Sequence, residues 1–241
     1  MATKISTPTI VLVHGAFEDG SIWNKVIERL WDDGFTPVVF ANPLQGVAVD
    51  AAYLRSAIAG IDTALVLVAH SYGGAVITQA GDDARVKGLV YAASIMPAAG
   101  EAASDLLGRF PGSSFLTSVH EVPFMLPDGT SGSYLLYQSD KFHSQVAADV
   151  PERDAALMCA TQRPMNLAAL TEKLSSAAWT TKPTWQIRTL RDLAIPLPEQ
   201  EFEAERAKCS VKEVDSSHAV TVSNPDVVAN VIREAAHLAS R

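Results

Sequence analysis

Short runs of consecutive apolar, mostly β-branched residues recur along the chain, and most of them are followed by a segment with helical spacing. The most apolar run is Ala64–Ala69, and Thr9–Val13 is similar in character. Strands of a parallel sheet are buried on both faces, so they read as continuous apolar runs rather than alternations. The sequence predicts six such strands, at residues 9–13, 36–40, 64–69, 86–93, 184–190 and 211–214.

The segments between these runs carry apolar residues at the three- and four-residue spacing of amphipathic helices. In the first of them Ser21 is the predicted N-cap and Gly34 ends the helix. In the last, Asn224 is the predicted N-cap and Pro225 occupies the first helical position. The other helices are predicted at residues 47–59, 75–80 and 198–208.

The alternation stops after the fourth strand and resumes near residue 184. Residues 97–182 contain six prolines, show no clean strand, and carry two helical stretches at 150–160 and 167–178. Alternating strands and helices predict a mostly parallel sheet with helices on both faces, a doubly wound α/β fold. We therefore expect one domain over residues 1–241, with a mainly helical cap inserted at about 97–182.

Composition narrows the function classes. The chain has 241 residues, 48% of them hydrophobic and 19% charged, which is typical of a folded globular protein. Its 27 acidic and 19 basic residues give a formal net charge of −8, so we expect neither nucleic acid nor polyanionic substrates as partners. The longest apolar runs are near six residues, far below the ~20 that span a bilayer, so no membrane association is expected.

Two cysteines, Cys159 and Cys209, lack the spacing of a zinc site or a disulfide framework. No metal or cofactor is therefore expected. The segment before the first strand, Met1–Pro8, is too short and polar for a signal peptide, and a reducing, cytoplasmic location is the simplest expectation.

The segment Ala69-His70-Ser71-Tyr72-Gly73 has the small-x-Ser-x-Gly form of a nucleophile elbow. The serine of such an elbow sits on a sharp turn between a strand and a helix, and bulky residues two positions away would clash there. This segment lies between the most apolar run and a glycine-led helix, which is the context that the motif requires. Ser71 is therefore the candidate nucleophile.

A serine nucleophile needs a base and an acid that orients it, in the chain order serine, acid, histidine. His218 follows the last predicted strand and Asp192 follows the strand before it, so both belong at the carboxyl edge of the sheet. Asp215 and Glu199 are rival acids. The other histidines are weaker candidates: His14 and His70 are expected to point away, and His120, His143 and His237 lie in the cap or on the last helix.

Two backbone N–H groups must face the oxyanion that forms during acyl transfer. The residue after the nucleophile, Tyr72, is expected to supply one, and Ala16 in the loop after the first strand the other. Aromatic and apolar residues in and near the cap are the candidate substrate-binding set: Phe17, Phe110, Phe115, Phe124, Met125, Leu126, Tyr134 and Phe142. For each cap residue, packing within the cap is an equally good explanation.

With these residues placed, the chain resembles the α/β-hydrolase superfamily, and within it the small branch of plant methylesterases, hydroxynitrile lyases and bacterial carboxylesterases. The resemblance runs nearly end to end and is carried by residues 11–17, 69–74, 160–164, 192–195 and 217–220. It implies a serine triad, no metal, and a cap over the active site.

Within the resemblance, two positions favour ester hydrolysis over lyase chemistry. Lyases of this branch have a threonine where this chain has Gly15, and a lysine after the catalytic histidine where it has Ala219. The sequence therefore favours hydrolysis of small apolar or aromatic carboxylic esters by a monomer or homodimer. A hydroxynitrile lyase, a lactonase and a ligand-binding protein on a hydrolase fold remain as alternatives.

Overall fold

The computed structural model describes residues 7–240, so most of the segment that we interpreted as lacking a signal peptide lies outside the described residues. A central sheet contains six parallel strands: β1 (Thr9–Val13), β2 (Val38–Phe40), β3 (Leu65–Ser71), β4 (Val86–Ser94), β8 (Thr184–Thr189) and β9 (Ser210–Val214). Their order across the sheet is β2-β1-β3-β4-β8-β9. All six predicted strands are present within two residues of their predicted ends.

Helices cover both faces of this sheet, as the doubly wound pattern predicts. Along β1 and β3 alternate residues join two separate cores, with Val11 and Leu67 in one and Leu12 and Val68 in the other. Three helices follow β1, β2 and β3: α1 (Asn24–Asp32), α2 (Val47–Ile58) and α3 (Gly73–Ala80). Three more lie after β8: α9 (Leu197–Ala207), α10 (Val220–Ser223) and α11 (Pro225–Ala239). Helices α2 and α3 belong to the first core, and α1 and α11 to the second.

Two predicted caps differ in detail. A 3-10 turn, Gly20–Trp23, precedes α1, and the Asp19 carboxylate rather than Ser21 caps it by accepting the Ser21 N–H at 2.8 Å. Asn224 precedes α11 as predicted, but its side chain does not cap the helix and donates instead to Ser223 Oγ. Pro225 does occupy the first position of α11.

Between β4 and β8 the chain leaves the central sheet. This insertion contains the helices α4 (Ala103–Leu107), α5 (Phe115–Ser118), α6 (Ser139–Val146), α7 (Glu152–Ala160) and α8 (Ala168–Thr171), and a three-stranded antiparallel sheet of β5 (Val119–Met125), β6 (Ser131–Tyr137) and β7 (Met165–Asn166). The prediction that the insertion has no strand is wrong. The helix predicted at 167–178 is also too long, since only one turn of it forms.

The hairpin of β5 and β6 was missed because β5 is largely exposed and therefore lacks an apolar run. The turn of the hairpin contains the dipeptide Asp128-Gly129. Gly129 adopts a φ of 86°, and Asp128 Oδ1 accepts the Thr130 N–H at 2.9 Å. Asp and Gly are the residues that such turns favour. No helix of the described residues is both long and apolar enough to cross a bilayer.

Candidate active site

Strand β3 ends at Ser71 in a sharp turn, and α3 begins two residues later. Ser71 has a φ of 52°, which is a left-handed conformation that non-glycine residues rarely adopt. The turn is held by the Ser71 carbonyl oxygen, which accepts a hydrogen bond from Ser94 Oγ at 2.7 Å. The backbone is therefore strained at the residue that the elbow motif identifies, and strain of this kind clusters at functional sites.

Two glycines allow α3 to start this close to the sheet. A Cβ atom on Gly73 would lie 2.7 Å from the Val13 carbonyl oxygen, and one on Gly74 would lie 2.1 Å from that of Ile95. Both contacts are with backbone atoms, which cannot rotate away. Gly73 of the motif and the following Gly74 are thus required by the close packing of α3 against the neighbouring backbone.

Replacing Gly74 by Ala should lower the free energy of unfolding by about 3 kcal/mol, since overpacking against backbone forces the helix to shift. For a chain of this size that corresponds to a fall in Tm of about 6–12 °C. Gly60→Ala is the matched control, because a Cβ there meets nothing within 4 Å, and its Tm should stay within about 2 °C of wild type. Equal melting of the two variants would contradict this account of the elbow.

His218 and Asp192 meet at the carboxyl edge of the sheet, in the loops after β9 and β8. His218 Nδ1 lies 2.7 Å from Asp192 Oδ2, and both side chains are buried. Asp192 Oδ1 accepts the N–H groups of Ala194 at 2.8 Å and Ile195 at 2.9 Å, and Thr189 donates to Oδ2 at 2.9 Å. Four hydrogen bonds thus fix this carboxylate, which in turn orients the imidazole.

The two rival acids lie elsewhere. Asp215 forms an exposed ion pair with Arg191 at 2.6 Å, and neither oxygen reaches the His218 ring. The Glu199 carboxyl has no hydrogen-bond partner in the described part of the chain, and burial raises its pKa to about 7. The loop of His218 is held by Asp149, which accepts from Ser216 Oγ at 2.7 Å and the Ser217 N–H at 3.1 Å.

The loop after β1 passes directly beside the nucleophile. A Cβ atom on Gly15 would lie 2.5 Å from Ser71 Cβ, so only glycine allows this approach. The N–H groups of Ala16 and Tyr72 donate no hydrogen bond within residues 7–240. One backbone donor in the elbow and one in this loop are thus without a partner among the described residues.

The Tyr72 side chain ties the elbow to α2. Its hydroxyl donates to Asp50 Oδ2 at 2.8 Å, while Asp50 Oδ1 accepts the Gln45 N–H at 3.0 Å. Burial raises the pKa of the Asp50 carboxyl, and burial together with Asp50 raises that of the Tyr72 hydroxyl. The tyrosine therefore keeps its proton and remains a donor to this carboxylate.

His14 and His70, the two histidines beside the motifs, are buried, and neither was predicted to have a role in the site. His70 Nδ1 lies 2.8 Å from Glu18 Oε2, and His70 Nε2 lies 2.9 Å from the carbonyl oxygen of His218. His14 Nε2 accepts the Asn42 N–H at 3.1 Å, and burial lowers the pKa of this imidazole. His14 is therefore a neutral structural group, whereas His70 contacts the main chain of the candidate base.

The segment at 160–164 connects the insertion to the loop after β1. The Arg163 N–H donates to the Phe17 carbonyl at 3.3 Å, and its Nη1 donates to the Asn42 carbonyl at 2.8 Å. Gln162 accepts the Tyr137 N–H at 2.9 Å and donates back to the Tyr137 carbonyl at 3.2 Å. This segment therefore fixes both the loop and one wall of the cavity beside Ser71.

One cavity contains Ser71, Tyr72, His218 and Ala16, and its remaining walls are predominantly apolar. Tyr137 lies among aromatic rings, with its centroid 5.0 Å from that of Phe17 and 5.8 Å from that of Phe142. Its buried hydroxyl has no hydrogen-bond partner in the described residues. The other lining residues are Glu18, Ile95, Leu107, Phe115, Val146, Met165, Leu170, Ala194 and Ile195.

The structure places Phe17, Phe115 and Phe142 on this cavity. The five other predicted substrate-binding residues lie outside it: Phe110, Phe124, Met125, Leu126 and Tyr134. Phe110 packs on Phe202 with ring centroids 5.8 Å apart, and Met125 is 76% exposed at the tip of the hairpin. Phe124 and Tyr134 stack on each other at 4.4 Å on the outer face of the small sheet. Because these strands were not predicted, the sequence could not show which of their aromatic residues face the cavity and which face away.

Among the described residues, no group of three or more His, Cys, Asp or Glu side chains is arranged to hold a metal ion. Both cysteines are free thiols, and burial raises the pKa of the Cys209 thiol to about 12.

Residues 10–231 match the alpha/beta hydrolase family, and the chain therefore belongs to that family. The resemblance and the predicted fold class are both confirmed. A curated relative, the probable hydrolase R7 of Phoma sp., is 25% identical over 260 residues and covers 96% of this chain and 99% of its own.

Solved structures with the same fold include three esterases or hydrolases. Polyneuridine aldehyde esterase superposes with a TM-score of 0.82 at 18% identity, covering 95% of this chain and 99% of its own. A pyrethroid hydrolase from Sphingobium faniae gives 0.79 at 18% identity, with coverages of 96% and 98%. A methylesterase from Arabidopsis gives 0.77 at 19% identity, with coverages of 95% and 98%. Similarity at this level of identity shows the shared fold.

Proposed function

We propose that this protein is a serine hydrolase that cleaves carboxylic esters of small apolar or aromatic compounds through an acyl-enzyme. The observation that carries the proposal is one apolar cavity lined by the strained Ser71, by His218 and by Ala16 and Tyr72. His218 is hydrogen-bonded to Asp192, and the N–H groups of Ala16 and Tyr72 have no partner among the described residues. Membership of the alpha/beta hydrolase family and the esterase activity named for similar structures support it.

In this mechanism Ser71 Oγ attacks the ester carbonyl carbon while His218 Nε2 takes the serine proton. Asp192 keeps the proton on His218 Nδ1 and stabilises the imidazolium. The oxyanion accepts hydrogen bonds from the N–H groups of Ala16 and Tyr72, each contributing about 3 kcal/mol. His218 then protonates the leaving alcohol, and a water molecule cleaves the acyl-enzyme by the same steps.

The walls of the cavity support the substrate class. Phe17, Phe115, Phe142 and Leu170 would contact an apolar acyl or alcohol group, while the net charge of −8 disfavours polyanions. A metal-free and cofactor-free reaction, a cytoplasmic location and a monomer or homodimer complete the proposal. Lyase chemistry is disfavoured because position 219 is a buried alanine rather than a lysine.

The wild-type protein should hydrolyse p-nitrophenyl acetate and butyrate with kcat of at least about 1 s⁻¹, and a fluorophosphonate should label Ser71. Mandelonitrile cleavage and hydrolysis of a simple lactone, measured in parallel, distinguish the lyase and lactonase alternatives. Tight binding of an ester that is never cleaved would favour a ligand-binding protein and contradict the proposal.

A further inference from the structure

We propose that Glu18 and His70 act as a positioning pair, which joins the loop of the oxyanion donors to the loop of the candidate base. The inference rests on the proposed function, because it concerns how the same groups reach their reacting geometry. Neither side chain takes part in the bond-making steps described above.

Three hydrogen bonds form the connection. Glu18 Oε2 accepts the Gly15 N–H at 2.9 Å and lies 2.8 Å from His70 Nδ1. The opposite ring nitrogen, Nε2, lies 2.9 Å from the main-chain oxygen of His218. One carboxylate and one imidazole, both buried, thus span from the residue before Ala16 to the residue that supplies the base.

The partners fix the protonation of the pair. The His218 carbonyl can only accept a hydrogen bond, so His70 Nε2 carries a proton. A second proton between the two side chains can belong either to His70 Nδ1 or to Glu18 Oε2. Burial alone would lower the pKa of His70 and raise that of Glu18, but their mutual charge and hydrogen bond outweigh burial and reverse both shifts. The pair is therefore an imidazolium beside a carboxylate.

This charge arrangement fits the chemistry at the cavity. A lone carboxylate at Glu18, which lines the cavity, would oppose the negative charge that develops on the substrate oxygen. The His70 cation compensates for that charge while its other N–H holds His218 in place. His70 also precedes Ser71 directly, so the pair fixes base, nucleophile and oxyanion loop relative to one another.

The pair also predicts an alkaline limit. The other titratable groups around it are His218 and Asp192 on the base side and His14 on the loop side. Since the pKa of His70 is raised above its ordinary 6.5, the ion pair is complete below that value and is lost as the pH rises through the raised pKa. The Glu18 pKa is lowered, so the acid limit falls below 4.5.

The test compares Glu18→Gln with Asp19→Asn. A glutamine oxygen can accept the same hydrogen bonds but carries no charge to keep His70 doubly protonated, and a neutral His70 with its proton on Nε2 turns a lone pair toward that oxygen. The contact is therefore lost, so kcat should fall about 10- to 100-fold while KM stays within about threefold. The alkaline limb assigned to His70 should also disappear. Asp19→Asn removes the neighbouring charge but keeps an oxygen for the Ser21 N–H, so its kcat should stay within about twofold of wild type. Wild-type kcat and pH profile in folded Glu18→Gln would overturn the proposal, even if its Tm were lower.

Two further measurements separate this inference from the proposed function. The rate of Ser71 labelling by a fluorophosphonate reports base and oxyanion positioning without ester turnover, and it should fall with kcat in Glu18→Gln. If the wild type is labelled but hydrolyses no ester, a Glu18-dependent labelling rate still supports the pair, and an unchanged rate overturns it. If Glu18→Gln does not fold, nitrogen-15 NMR of the wild type decides: titration of the doubly protonated His70 ring above 6.5 supports the pair, and titration at or below 6.5 overturns it.

Discussion

Replacing Ser71 by Ala should lower kcat for p-nitrophenyl ester hydrolysis by about 10⁵-fold, with the stability of the protein nearly unchanged. The reason is that Ser71 Oγ is the only protein group in the proposed mechanism that forms a bond to the acyl carbon. The residual rate should come from the Ala16 and Tyr72 donors and from binding. Steady-state kinetics and fluorophosphonate labelling, followed by mass spectrometry, measure both effects.

The stability of Ser71→Ala needs its own measurement, because a misfolded variant would also lose activity. Ser71 Oγ forms no hydrogen bond in the described part of the chain, and Ala accepts the φ of 52° no better than Ser. Its Tm should therefore stay within about 2 °C of wild type. Ser56→Ala, on the exposed face of α2, is a control that should keep full activity. An acyl-enzyme in Ser71→Ala, or turnover above about 1% of wild type, would refute Ser71 as nucleophile.

The centre of the main sheet could be predicted because its four inner strands, β1, β3, β4 and β8, are buried on both faces. Strands such as Leu65–Ser71 must be apolar at nearly every position, and this leaves a continuous signal that needs no partner to interpret. The hairpin of Val119–Met125 and Ser131–Tyr137 gave no such signal. Its outer face is exposed, and Pro123 interrupts the first strand.

The same hairpin explains the errors in the predicted cavity wall. Side chains alternate between the two faces of a strand, so Tyr134 lies on the outer face with Phe124, while Leu135 and Tyr137 are buried on the inner face. Once the register is known, Tyr137 rather than Tyr134 is the aromatic residue for the cavity. Without the strand there was no face to assign.

The candidate site divides in the same way between local and long-range signals. Ser71, Asp192 and His218 each follow a strand in a parallel sheet, so their proximity follows from topology that the sequence predicts. The Glu18–His70 contact joins residues 52 positions apart and matches no local pattern. In the elbow motif His70 occupies an unspecified position, so only the folded geometry reveals its partners.

Replacing Asp192 by Asn should reduce kcat by about 10³- to 10⁴-fold while KM changes little, because the side chain then selects the wrong histidine tautomer. The orientation of the new amide is predictable here. Its oxygen must remain at the Oδ1 position, since the N–H groups of Ala194 and Ile195 both donate there. The amide NH₂ then faces His218 Nδ1, which lies 2.7 Å from Asp192 Oδ2 in the native site.

A donor facing Nδ1 makes that nitrogen an acceptor, so the single ring proton moves to His218 Nε2, the atom that must accept the proton of Ser71. His218 Nε2 then carries a proton and cannot accept the one from Ser71. Because the backbone hydrogen bonds to residue 192 are kept, Tm should change by less than about 4 °C. Asp215→Asn is the matched control, because Asp215 lies only three residues before His218 but is exposed and pairs with Arg191. The kcat of this variant should stay within about twofold of wild type. If Asp192→Asn retained more than about 10% of wild-type kcat, Asp192 would not be the residue that orients the base. The acid that orients His218 would then be another carboxylate near the cavity, and Glu18 is one that lines it.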